Sequence, residues 1–165
     1  MPISFPRSVG QLPVFYSRKP SVSTKRYVEM DGQALYPFGH GLSYTTFAYA
    51  NLRLEPATIG IDGSCQVSVT VSNIGPRAGD EVAQLYLHDE FASVTRPVRE
   101  LKGFQRFHLE PGETRAVQFT LTPRDLSLWD AHMKRVVEPG TFSVRVGGNP
   151  HDLLEATLEV IGDTP

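Results

Sequence analysis

The chain has 165 residues, 40% apolar and 21% charged, a globular composition that excludes intrinsic disorder and leaves room for one domain or one domain plus a tail. Sixteen Lys and Arg against eighteen Asp and Glu leave a net charge of −2, which removes the electrostatic case for nucleic acid or an anionic membrane surface. No apolar run reaches the length of a transmembrane helix, the first residues lack the basic-then-apolar pattern of a signal peptide, and the single cysteine, Cys65, excludes an internal disulfide and a cysteine zinc site.

Residues 1–47 and 48–162 differ in texture. The first stretch is rich in Pro, Ser, Tyr and Gly and has no sustained period. Its one short apolar run, Leu12, Pro13, Val14, Phe15 and Tyr16, predicts a single strand, followed by a polar loop over 17–25. A free-standing domain seldom opens on so long an irregular stretch, so this region reads as the end of one unit joined to the next. Gly39-His40-Gly41 fails the dinucleotide fingerprint, because Tyr44 stands where its third glycine belongs; the glycines predict a tight irregular turn instead.

From residue 48 the pattern is all β. Leu52 and Leu54 open it. Val67, Val69 and Val71 alternate with Ser68, Thr70 and Ser72, the period of a half-buried strand. Ala83, Leu85 and Leu87 share one face of 80–88 while Val82 and Tyr86 take the other, which predicts a strand covered on both sides. Residues 101–109 are a less regular candidate. Clean alternation returns at Val117, Phe119 and Leu121, at Phe142, Val144 and Val146, and at Leu154, Ala156, Leu158 and Val160. Asp62-Gly63 and 73–76 are turn signals, and Pro111-Gly112 and Pro139-Gly140 each read as a type II turn. Only 123–130 reads as helix, for one or two turns. Seven or eight short strands between such turns predict an all-β sandwich.

Little in the chain carries chemistry. Asp80-Glu81 and Asp89-Glu90 are adjacent pairs, and strand neighbours point to opposite faces, so neither is a natural acid/base dyad. His88 beside Asp89 reads as a strand end entering a solvated loop. His40, His88, His108, His132 and His151 show no metal-ligand spacing. Cys65 opens a strand and reads as a small hydrophobe, and no serine sits in a nucleophile elbow. Trp129, Tyr36, Phe38, Tyr44, Phe47 and Tyr49 have the rings to stack on sugars, but five of these six crowd residues 36–49 and predict a linker packed on a surface. No catalytic, cofactor-binding or metal residue is assigned.

Four stretches, 2–16 (PISFPRSVGQLPVFY), 35–47 (LYPFGHGLSYTTF), 96–104 (RPVRELKGF) and 109–113 (LEPGE) followed by 117–121 (VQFTL), together resemble the C-terminal end of glycoside hydrolase family 3, most of all the bacterial periplasmic β-glucosidase type. The resemblance covers essentially the whole chain. It implies that 1–16 is the last strand of an α/β sandwich, 17–47 an interdomain linker, and 48–162 a fibronectin type III-like (immunoglobulin-like) β-sandwich. It also implies a retaining parent enzyme whose two catalytic carboxylates lie upstream of Met1, with a periplasmic or secreted location and no cofactor. The partners are then the upstream catalytic domains; oligosaccharide is met only through the whole enzyme, and neither nucleic acid nor membrane is involved. The 165 residues alone are expected to be inactive and to act as a bracing domain. The loop from Asp89 to Pro97 is either a crossover or an arm toward the active-site rim. Two other readings share these features: a stand-alone carbohydrate-binding or adhesion module, and a truncated product without function.

Overall fold

The structure, a computed structural model, describes residues 1–20, 31–150 and 152–162. Three runs, β1 (Phe47–Glu55), β3 (Cys65–Asn73) and β6 (Thr114–Leu121), form one antiparallel sheet in the order β1-β3-β6. Five runs form the second sheet: β2 (Thr58–Gly60), β4 (Gly79–Asp89), β5 (Glu100–Leu109), β9 (Gly140–Asn149) and β10 (Asp152–Ile161), in the order β2-β10-β9-β4-β5. A small hairpin of β7 (Leu128–Trp129) and β8 (Arg135–Val136) stands apart from both.

Alternation in the sequence becomes alternation in burial. On β3, Cys65, Val67, Val69 and Val71 are all within 1% of full burial. They join Val117, Phe119 and Leu121 of their own sheet and Leu85, Leu87, Phe142, Val144, Val146, Leu158 and Val160 of the other in one core. Two sheets with their dry faces together form the expected β-sandwich. The first strand region serves both sheets: β1 pairs with β3, Pro56 supplies no N–H and interrupts the ladder, and β2 then runs parallel to β10.

Four expectations need correction. The run 12–16 is not a strand. Residues 9–11 form a 3-10 turn, and the described ladder contacts in 1–46 are isolated bridges, at Phe5 with Tyr36 and at Asp31. A strand needs a neighbour, Pro13 has no N–H, and no described strand lies alongside. The helix at 123–130 is a single turn, α1 (Pro123–Leu126), capped by the Asp125 carboxylate, which accepts from the Thr122 N–H at 2.9 Å and hydroxyl at 2.7 Å. Leu128 and Trp129 then leave as strand. Gly140 is not left-handed but begins β9, whereas Gly112 has φ 79° as its turn requires. Finally, β5 is a full strand. Its pattern looked irregular because a bulge at Lys102 sets Leu85 opposite Gly103 but Tyr86 opposite Leu101, and one extra residue reverses the inside–outside phase. The strands β2, β7 and β8 are too short to show a period.

Candidate functional site

The carboxylate pairs do not converge. Asp80 leaves β4 toward β5, where Arg106 Nε donates to it at 3.0 Å and His108 Nδ1 lies 2.6 Å away. These partners hold the Asp80 carboxyl below its usual range and push the His108 imidazole up. Glu81 leaves by the opposite face and accepts from the Tyr49 hydroxyl at 2.7 Å. Burial raises the Glu81 carboxyl, and burial beside that carboxylate raises the Tyr49 phenol. His88 Nδ1 lies 3.1 Å from the Pro97 carbonyl.

Asp89 is not the solvated strand end its sequence suggests. It is 7% exposed, its Oδ2 has no hydrogen-bond partner, and burial pushes its carboxyl up, with Arg96 acting against this. Among the described residues, no three His, Cys, Asp or Glu side chains gather as a metal-ligand set; His151 lies outside those residues. Cys65 is fully buried, and desolvation raises its thiol. The loop 90–99 after Asp89 is tied at several points. Ser93 donates from its N–H to Glu138 at 2.9 Å, Arg96 pairs with Glu100 at 2.9 Å and reaches the Ser127 carbonyl, and the Val98 N–H donates to the Arg18 carbonyl. Phe91 at its tip is 85% exposed.

The most developed polar structure lies where 1–46 crosses the outer face of the larger sheet. Tyr86, on the face of β4 away from the core, is 1% exposed. Its hydroxyl donates to Gln84 Oε1 at 2.5 Å, and Gln84 Nε2 donates to the Gly148 carbonyl at 2.8 Å and reaches the Gly39 carbonyl at 3.4 Å. Tyr16 meets Tyr86 edge-on and stacks on Phe38 with ring centroids 4.2 Å apart. Gly39, with φ 83°, lies so close to the Gln84 amide that a Cβ would strike it. Farther along, Asn73 is fully buried and uses all its capacity. Nδ2 donates to the Arg77 and Leu109 carbonyls at 2.7 and 3.0 Å, while Oδ1 accepts from the Thr45 hydroxyl at 2.6 Å and the Gly75 N–H at 3.1 Å.

The linker aromatics therefore divide. Phe38, Phe47 and Tyr49 pack down, whereas Tyr36 is 43% and Tyr44 89% exposed, as is Trp129 at 60%. Tyr16, Gln84 and Tyr86 went unread as seam residues. The one signal was a glutamine inside an apolar strand with a second dry face.

A fibronectin type III-like domain family matches residues 81–149. The periplasmic β-glucosidase of Salmonella typhimurium is 43% identical over 171 residues, covering 98% of this chain and 22% of that protein. A β-xylosidase of Formosa agariphila is 45% identical over 163 residues, covering 96% and 22%. Among solved structures, a β-glucosidase from Erythrobacter marinus superposes with a TM-score of 0.91 at 46% identity, over 96% of this chain and 21% of that one. The β-glucosidase of Listeria innocua in complex with glucose gives 0.88 at 36% identity, over 96% and 24%. The chain thus spans about a fifth of the length of the relatives it matches.

Proposed function

Because this chain is homologous to the C-terminal region of family 3 glycoside hydrolases, we propose that it serves as the non-catalytic bracing end of a β-glucosidase-like enzyme that cleaves O-glycosidic bonds of oligosaccharides. The observation that carries the bracing role is the placement of exposed apolar side chains. Among the described residues ten of the sixteen large exposed apolar side chains lie in 1–44, among them Ile3, Phe5, Val9, Leu12, Phe15 and Leu42, and six lie on the longer sandwich. So dense a run of exposed apolar side chains is what a segment covered in an assembled protein carries.

In this reading 1–16 belongs structurally to a neighbouring domain, 17–47 straps that domain to the sandwich, and 48–162 is the brace. The catalytic carboxylates stand outside the chain, and the enzyme works in the periplasm, as the name of the Salmonella relative says of that protein. The test is the reading frame ahead of the Met1 codon, together with an assay of the pure 165-residue chain. The expected outcome is a frame that continues into barrel-encoding sequence and a chain that does not turn over an aryl β-glucoside. Turnover by the chain alone, or a stop codon and ribosome-binding site just ahead of Met1, overturns the proposal.

A further inference from the structure

Arg99 ends the loop before β5 and is half-buried beside a cavity of about 190 Å³. Its neighbours have their charges answered: Arg96 pairs with Glu100, and Arg145 with Glu155 at 3.1 Å. Among the described residues Arg99 has no such partner. Its contacts among the described residues are one hydrogen bond, from Nη1 to the Pro150 carbonyl at 3.0 Å, and the face of the Tyr86 ring, 5.6 Å from its guanidinium carbon. Among the described residues its five N–H donors thus meet one acceptor and one ring. Arg18 lines the same cavity. Desolvation depresses the Arg99 guanidinium, the Tyr86 side chain acts against this, and the nearby charges of Arg145 and Arg18 add to the lowering.

The cavity has a definite setting. Ser4, Gln11 and Gln33 give it a polar wall, and Gln11 is itself 1% exposed and fixed by hydrogen bonds to the Arg7 N–H and the Gln33 carbonyl. Across Pro13, Val14 and Phe15 it adjoins an apolar hollow lined by Ile3 and Leu12, both more than half exposed. A cationic socket beside an apolar shelf is complementary to an acidic side chain with apolar neighbours.

We propose that this socket is a docking site for an aspartate or glutamate side chain of a protein segment outside the span of this chain, its carboxylate on Arg99 and its apolar neighbours over Phe15, Leu12 and Ile3. The proposal rests on the bracing reading, since relatives about five times as long supply the segment. Arg99 then acts as a lock: the apolar face gives area, and the ion pair, which tolerates few wrong registers, fixes orientation.

The test uses the 165-residue chain with the ¹⁵N–¹H signal of the Arg99 side chain as readout. The probe is a capped leucine–glutamate–leucine tripeptide, with leucine–glutamine–leucine as neutral control and sodium sulfate as a free anion. Saturable movement of the Arg99 signal by the glutamate peptide is expected. At least a tenfold weaker response is expected from the glutamine peptide, along with loss of binding in Arg99→Met and partial retention in Arg99→Lys. Arg99→Met should leave the Tm of the isolated chain within about 2 °C or raise it, because a half-buried charge is removed. Equal responses to the two peptides, no response, or sulfate binding tighter than the peptide overturns the socket; so does a large drop in Tm, which would make Arg99 a structural tie to Pro150. The bracing reading is scored separately, by the upstream frame, and survives a silent Arg99.

Discussion

Asn73 holds three parts of the chain at one point: the end of the linker through Thr45, the turn after β3 through Gly75 and Arg77, and the end of β5 through Leu109. Asn73→Ala strands buried carbonyls and a hydroxyl, so it is expected to cost about 3 kcal/mol in urea unfolding. Asn73→Asp should do no better, because it deletes both donors. Asp89 works in the other direction. Its folded carboxyl is raised by burial, so its favourable contribution is complete below the ordinary carboxylate pKa and is lost as pH rises through the folded value. Asp89→Asn should therefore raise Tm by roughly 2–4 °C at pH 7, the shift that about 1 kcal/mol produces in a chain of this size. The gain should vanish near pH 3; an equal gain at both values would show that ionisation is not the cause. Neither role is written in the residue type. Asn73 stands in a turn signal, and Asp89 in what reads as a polar strand end.

Elements declare themselves in sequence when water touches one face and the core the other. That is why β3, β6, β9 and β10 were legible, residue by residue, from Val67 to Val160. On β5 the Lys102 bulge breaks the phase. Over 12–16 the apolar residues Leu12 and Phe15 are exposed and serve a surface, not a ladder. The seam was half legible. Crowded aromatics announced a packed linker, but which rings pack depends on Tyr86 and Gln84, several tens of positions away and invisible to local pattern. Its tightest point is Gly39. Gly39→Ala combines a left-handed φ with a Cβ against the Gln84 amide, and is expected to cost at least about 1 kcal/mol. The loss should be seen as faster amide exchange in 31–40 ahead of the strands; uniform loss through the sandwich would mean that strap and sandwich unfold as one unit.

For the whole molecule the discriminating residue is Tyr44, 89% exposed. Tyr44→Ala should leave the melting temperature of the isolated chain unchanged and lower that of a longer enzyme, whereas Phe38→Ala, which breaks a stack on Tyr16, should lower both. An unchanged longer enzyme would count against the covered surface. The parallel pairing of β2 with β10 has a consequence for biosynthesis. A chain emerging from the ribosome offers β2 first and its partner about a hundred residues later. Until 152–161 are out, β9 lacks its outer neighbour, and the core lacks Leu158 and Val160. The sandwich therefore cannot close piecemeal during translation. Tyr16, Phe38 and Gly39, which pack on Tyr86 and Gln84 of β4, are by contrast made well before the last strand drops into place.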